Sequence, residues 1–332
     1  MFLGVDGGGT KTAFCLVTES GEVSAQVRAP STYYFSVGID LVGRVLRDGI
    51  AAVCAEAGTT PEGIRHAFFG LPTYGEVSGD IPTLNAAARD ALGHDRYACG
   101  NDMVCSWAGS LGGADGINIL SGTGSMTYGE FGGRGARVGG WGELFGDEGS
   151  AYWIAIRGLS CFSKMSDGRL PPGPLHTLIG EHLGLKEDLD LVDVVLNRWQ
   201  GDRSKIAALS RLVVTAADRG DRYGRDILAQ AARELAITVD TTRERLGFRP
   251  GQSVPVSYSG GVFKAGPSIL DAFRSELEGR YATYELRDPL YPPHIGAAIY
   301  AAKLSANPLS HAALQRLQSA PSTSLGEDDE KQ

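Results

Sequence analysis

The sequence has no run of Lys or Arg, and its charge balance is acidic: 31 basic against 39 acidic residues, a net −8. That argues against the basic footprint with which proteins hold nucleic acid or an anionic membrane. No apolar stretch is long enough to span a bilayer, and the opening Met1-Phe2-Leu3-Gly4-Val5-Asp6 has neither the basic region nor the cleavage site of a secretory signal. Cysteine is scarce. Cys15, Cys54, Cys99, Cys105 and Cys161 are odd in number and scattered, which speaks against a disulfide framework and for free thiols in a reducing cytoplasm. Cys99 and Cys105 flank Asp102 without the spacing of a zinc or iron–sulfur knuckle, so they are read as packing residues. The Walker pattern Gly-Lys-Ser/Thr and the dinucleotide pattern Gly-x-Gly-x-x-Gly are both missing from the first strand and its turn.

Glycine, in contrast, is abundant at 46 of 332 residues, and it clusters at strand ends. The length allows two domains of about 150 residues each. Phe2–Val5 reads as a strand that ends in Asp6-Gly7-Gly8-Gly9-Thr10, where glycines permit positive φ and the close approach of a ligand. Lys11–Thr18 and Val23–Arg28 continue as strands, the Ile39–Ala57 periodicity predicts a helix, and Ala67–Gly70 is a buried strand. Thr83–Leu92 is a short helix. Arg96–Cys99 is a strand whose carboxyl end presents Gly100-Asn101-Asp102, and Met103–Leu111 is helical. Ligands in open α/β sheets bind at that end of the strands.

Gly112–Gly116 marks a boundary between lobes. Strands at Ile117–Leu120, Ser125–Phe131 and Ala136–Val138 follow it, the first two joined by Ser121-Gly122-Thr123-Gly124. A strand–Gly/Thr turn–strand unit therefore occurs once per half, an echo of a duplicated fold. Helices are expected at Gly149–Phe162 (capped by Ser150), Asp188–Trp199, Ser204–Asp218, Asp221–Leu246, Pro267–Leu277 and Ile295–Leu304. Strands are expected at Val254–Tyr258 and Ala282–Leu286. The polar tail from Pro321 to Gln332 reads as disordered.

Phosphate oxygens need several N–H donors converging at short range. Gly7, Gly8 and Gly9 remove obstructing side chains, and Thr10 adds a hydroxyl. Gly122, Thr123, Gly124 and Ser125 offer the same set after a second strand, and Gly260-Gly261 after a third would give a flat adenosine a backbone floor. Lys11 could offset γ-phosphate charge. Asp6 suits the water shell of Mg²⁺. Asp102 is either a proton acceptor at a strand end or the cap of the next helix. Trp141 is expected in the core, with stacking on a sugar as the alternative.

These residues carry a resemblance. Asp6–Thr10, Ser121–Ser125, Gly140-Trp141-Gly142, Gly146-Asp147-Glu148-Gly149-Ser150-Ala151-Tyr152-Trp153 and Ser259-Gly260-Gly261 resemble the N-acetylglucosamine kinase branch of the BadF/BadG/BcrA/BcrD ATPase family, within the actin/hexokinase/heat-shock ATPase superfold. The resemblance runs from Met1 to about Leu304. It implies an α/β chain with two ribonuclease-H-like lobes and a cleft for ATP and Mg²⁺, lobe 1 over 1–112 and lobe 2 over 113–304, with a C-terminal helix able to return to lobe 1 and a tail over 305–332. It implies phosphoryl transfer to a hexosamine hydroxyl, usually the 6-hydroxyl, with Asp102 as base. ATP would be held by Gly8, Gly9, Thr10, Lys11, Gly122, Thr123, Gly124, Ser125, Gly260 and Gly261. The sugar would meet Tyr33, Asp102, Thr123, Gly140, Asp147 and Glu148, and Asp6 would hold the metal through water. A cytoplasmic homodimer with no nucleic-acid or membrane partner is expected. Relatives acting on N-acetylglucosamine usually place an Asn where Tyr33 stands, so glucosamine or another amino or neutral sugar stays open. The rival readings are an ATPase that activates a redox partner and a sugar- and nucleotide-binding regulator without turnover.

Overall fold

The computed structural model describes residues 1–280 and 283–319. The tail expected to be disordered, 321–332, and Ala282 of an expected strand lie outside the described residues. Along the chain β1 (Phe2–Gly7), β2 (Lys11–Val17), β3 (Val23–Pro30), α1 (Asp40–Glu56), β4 (His66–Leu71), α2 (Ile81–Leu92), β5 (Tyr97–Asn101) and α3 (Met103–Leu111) come first. There follow β6 (Gly116–Ser121), β7 (Ser125–Phe131), β8 (Arg134–Gly139), α4 (Ala151–Ser166), α5 (Pro174–Leu183), α6 (Arg203–Ala208), α7 (Ser210–Asp218) and α8 (Arg222–Leu246). Then come β9 (Val254–Ser259), α9 (Gly261–Lys264), α10 (Pro267–Arg280), β10 (Tyr284–Arg287), α11 (Pro293–Leu304) and α12 (His311–Ser319).

The chain divides into two units, Met1–Ala114 with Asp288–Gln332, and Asp115–Arg287. Each contains one five-stranded mixed sheet. In the first the order is β3-β2-β1-β4-β5, with β1, β2 and β3 antiparallel and β1, β4 and β5 parallel. In the second, β8-β7-β6-β9-β10 repeats that order and those directions. The echo between the two glycine turns is thus a repeat of topology, one ribonuclease-H-like sheet per unit.

Alternation along the strands sets which face meets which helix. In the first unit Leu3, Val5, Phe14 and Leu16 pack with Val42, Leu46, Ile50 and Val53 of α1 and with Leu84 and Ala88 of α2. The other face of β1 meets α11, which also packs on α3. The approach is close. A Cβ at Gly4 would lie 2.3 Å from Ala298 N and 2.4 Å from His294 O, so only glycine lets this helix backbone reach the strand. Here the structure corrects the expected division: α11 was placed in the lobe 113–304 and instead belongs to the first unit. The reason is its small-residue face of Gly296, Ala297, Ala298, Ala301 and Ala302, all buried.

In the second unit Ile117, Ile119, Val254 and Val256 meet Ala231, Ala232, Leu235, Ala236 and Val239 of α8. Asp221 caps α8 by accepting from Tyr223 N and Gly224 N, and its other oxygen accepts from Leu175 N at 3.0 Å, tying α5 to it. Two helical expectations are corrected. Ser204–Asp218 is two helices, broken at the buried Leu209. Asp188–Trp199 is a 3₁₀ turn at Asp188–Asp190 and a π-helical stretch at Asp193–Arg198. Helix α5 went unpredicted because Pro171-Pro172-Gly173-Pro174 reads as a break, whereas Pro174 occupies the first helical turn, where proline is pre-organised. No helix among the described residues is long and apolar enough to cross a membrane.

Candidate active site

In the first unit, β1 carries Asp6 to its carboxyl end and the chain reverses through Gly8, whose N–H donates to Lys11 O at 2.8 Å. None of Gly7, Gly8 and Gly9 has positive φ, so the expected reason for the glycines is half corrected: they serve close approach, not an unusual backbone. Nothing lies within 4 Å of a Cβ built at Gly9. Thr10 and Lys11 are exposed. The loop after β3 is tied to this turn by Ser31, whose hydroxyl donates to Gly8 O at 2.7 Å and accepts from Tyr33 N at 3.0 Å. Tyr33 itself is 41 % exposed, with its ring edge-on to Phe35.

Asp102 immediately precedes α3. Its side chain makes no cap hydrogen bond to that helix. Asn101, one residue earlier, serves the first turn instead: its Oδ1 accepts from Met103 N at 3.2 Å while its Nδ2 donates to Pro72 O at 3.2 Å. Asp102 thus stands at the cap position without capping by its side chain. The start of α3 is held against β1 and β4. Cys105 Sγ donates to Val5 O at 3.6 Å, and a Cβ at Gly70 would lie 2.2 Å from that sulfur and 3.2 Å from Asp102 Cα. Asp102 is thereby brought close enough to Asp6 to act on it. Burial first, and then the Asp102 charge, push the Asp6 carboxyl up to about 7, with Lys11 opposing. All five cysteines are free thiols, and burial raises Cys105 further above the ordinary thiol range.

A pair of neighbouring carboxylates, one of them made costly to ionise by burial and then by the other's charge, fits a hydrated Mg²⁺. That ion takes one or two carboxylates and completes its shell with water and phosphate. Among the described residues no cluster of three or more His, Cys, Asp or Glu could hold a metal ion by itself. His294, in the first turn of α11, joins this region unforeseen. Burial pushes its imidazole down to about 4, with Arg28 and Lys11 adding to the effect, so it is neutral at ordinary pH.

The second unit knits its own set. Gly122 N–H donates to Gly124 O at 2.9 Å, and Ala151 N–H donates to Gly122 O at 2.8 Å. Ser121 Oγ donates to Gly149 O at 2.9 Å and Ser125 Oγ to Glu148 O at 2.7 Å. Ser125 is buried, so its hydroxyl serves this scaffold, while Thr123 stands exposed at the tip. Gly260, at φ +99°, comes so close that a Cβ would lie 2.2 Å from Ser121 O. The two glycine segments expected at one nucleotide are therefore adjacent within this unit.

Gly140 N–H donates to Ser125 O at 2.9 Å, placing the β8–α4 loop beside the same turn. Asp147 sits beneath it at φ +56° and is 3 % exposed. Its Oδ1 accepts from Gly142 N at 3.3 Å and its Oδ2 from Arg203 Nη2 at 2.6 Å. Burial raises its pKa and Arg203 is the chief opposing influence. Ser150 caps α4 by accepting from Trp153 N, as expected, and no acid lies in the first turn of α4. Asp147 and Glu148 therefore do not serve that helix dipole. Trp141 is corrected: it is 73 % exposed, not in the core, and Leu144 and Phe145 beside it are 86 % and 76 % exposed. Gly140 and Gly142, both at positive φ, turn the chain on either side of the ring. The Gly142–Asp147 bond then holds the loop by its backbone and leaves the side chain out.

Sequence reasoning missed Ser31, Asn101, His294 and Arg203. Asn101 had a local signal, a cap residue just before a helix. Arg203 lies 56 positions from its partner Asp147, and no spacing rule connects them.

Residues 3–301 match the model of the BadF/BadG/BcrA/BcrD ATPase family. An N-acetyl-D-glucosamine kinase of Dictyostelium discoideum is 30 % identical over 315 residues, which is 91 % of this chain and 97 % of that protein. An N-acetylmuramic acid/N-acetylglucosamine kinase of Clostridium acetobutylicum is 32 % identical over 302 residues, 90 % of this chain and 97 % of that one. A solved structure from Chromobacterium violaceum matches with a TM-score of 0.69 at 25 % identity, over 90 % of this chain and 98 % of that one. A family match over nearly the whole length, on a chain whose two sheets repeat one topology and each end in a glycine turn, leads to one conclusion: the chain belongs to the BadF/BadG/BcrA/BcrD ATPase family.

Proposed function

We propose that the protein is an ATP-dependent kinase of a hexosamine, N-acetylglucosamine or glucosamine, that phosphorylates the 6-hydroxyl with Asp102 as general base. The observation that carries the assignment of the base is the place of Asp102, immediately after the carboxyl end of β5 and close enough to Asp6 for its charge to help raise the Asp6 carboxyl. The names of the curated relatives support the substrate class.

On this reading the backbone N–H groups of Gly9 and Thr10 in the first unit, and of Thr123 and Gly124 in the second, offer donors to phosphate oxygens, with Lys11 adding charge; the Gly8 and Gly122 N–H groups are taken up in shaping the two turns. Gly260 and Gly261 give adenosine its floor. Asp6, with water between, would hold Mg²⁺, which would neutralise charge on the phosphates. Asp102 accepts the sugar hydroxyl proton as the phosphoryl group moves. Because that proton leaves late in a loose transition state, an ordinary carboxylate suffices. Asp147, Glu148, Gly140 and Thr123 border the sugar, with Tyr33 contributing one hydroxyl and a flat face. Sugar and ATP are the partners this reading requires.

The test is ADP release with Mg²⁺, ATP and a panel of sugars. A hexosamine should raise turnover well above the sugar-free rate. Equal rates with every sugar and with none would reject the kinase.

A further inference from the structure

We infer that Arg203 is a positioning residue of the sugar site, holding the Asp147 carboxylate in place under the Thr123-Gly124 turn. The inference rests on the hexosamine reading of these loops. Arg203 opens α6, part of the helical insertion between β8 and β9. Its Nη2 donates to Asp147 Oδ2 at 2.6 Å, and its Nε lies 3.2 Å from Glu143 Oε2. The contact is enclosed: the Asp147 side chain is 4 % exposed. A Cβ at Gly124 would lie 2.6 Å from Asp147 Oδ2 and 2.8 Å from Arg203 Nη2. The ion pair therefore forms the support against which the turn rests, and any side chain at Gly124 would collide with it.

Asp147 needs such support. A non-glycine residue at φ +56° sits in a sparsely populated region and persists only where its surroundings hold it. Arg203, Gly142 N–H and Ser125 N–H all donate to the carboxylate. Of a carboxylate's roughly four acceptor sites, about one then remains for a sugar hydroxyl. The guanidinium thus fixes which lone pair faces the substrate. The charged groups facing Asp147 are Arg203, which favours its ionised form, and Glu143, which disfavours it. Without Arg203, a buried acid beside Glu143 would stay protonated to higher pH and would be a weaker acceptor for the sugar hydroxyl than the carboxylate is.

The test uses the full chain with R203M, R203K and D147N. Carboxyl ¹³C NMR of Asp-labelled protein follows the Asp147 titration midpoint, assigned by its loss in D147N. Steady-state kinetics give KM for sugar and for ATP across pH. In R203M the Asp147 midpoint should rise by about one pH unit or more. The acid limb of kcat/KM for the sugar should rise with it, and sugar KM should increase roughly tenfold or more while ATP KM stays within about twofold. R203K, with charge but no planar fork, should fall between R203M and wild type. An unchanged midpoint in R203M, or in R203K should R203M not fold, overturns the inference. So does a joint rise of both KM values with a lowered melting temperature and an unmoved midpoint. A wild-type protein that no sugar activates would sink the kinase reading alone, since the NMR midpoint still decides whether Arg203 controls Asp147.

Discussion

Replacing Asp6 by Asn should stabilise the first unit, and more so as pH rises. The Asp6 carboxyl titrates at about 7 in the fold against an ordinary 3.8, through burial and the neighbouring Asp102 charge. Between those values the folded chain keeps a proton that the unfolded chain gives up, so wild-type stability falls as pH climbs from about 4 to about 7 and carries the full cost above that. The gap between 7 and 3.8, at roughly 1.4 kcal/mol per pH unit, amounts to at most about 4 kcal/mol. In Asp6→Asn that pH-dependent cost disappears. The difference in unfolding free energy between variant and wild type should therefore grow by up to about 3 kcal/mol from pH 4.5 to pH 8.5, on the order of 10 °C in melting temperature for a unit of this size. Urea denaturation across that range measures it. Mg²⁺ should act in the opposite sense, stabilising wild type more at pH 8 than at pH 5 and leaving Asp6→Asn unmoved. A variant-minus-wild-type difference that stays flat across pH would refute the raised Asp6 carboxyl, burial first and the Asp102 charge second.

Asp102→Asn should retain nucleotide binding by calorimetry and lose about 10²- to 10⁴-fold in kcat, the span of general-base catalysis; near-normal turnover would remove Asp102 from the chemistry. Gly260→Ala forces a Cβ to within 2.2 Å of Ser121 O at φ +99°. It should cost about 3 kcal/mol of stability and weaken ATP binding, whereas an unaltered ATP affinity would mean the two glycine segments need not touch. Trp141→Ala removes an exposed ring, so stability should change by less than about 0.5 kcal/mol while sugar KM rises several-fold. A marked loss of stability with unchanged KM would give the ring a packing role.

The strands that carry the site were legible because glycine clusters punctuate short apolar runs. Gly122-Thr123-Gly124 lies in the turn where the sequence puts it, while the first turn is shorter than expected, since Asp6 and Gly7 belong to β1 and Gly8-Gly9-Thr10 makes the reversal; both turns join the first two strands of a repeated topology. Ser150 as the cap of α4 was legible for a local reason, the hydrogen bond to Trp153 N three residues on. What failed was non-local. The affiliation of α11 depends on Gly4 admitting its backbone and on Gly296 admitting that of α3, fits between segments far apart in the chain. Trp141 was misplaced because hydropathy sends an indole inward, whereas tight glycine turns on both sides leave it outside. Arg203 carries no motif, and its importance arises only where α6 meets Asp147. Of the two roles open to Asp102, the sequence left helix capping standing; the structure gives its side chain no cap hydrogen bond, the Met103 N–H going to Asn101 Oδ1.

The most direct measurement is ³¹P NMR of a reaction containing the enzyme, Mg²⁺, ATP and a hexosamine. A new phosphomonoester signal, coupled to the two protons on C6 and growing in step with ADP, is the predicted result. ADP that accumulates with inorganic phosphate and no sugar ester would contradict the assignment and leave a nucleotide hydrolase in its place.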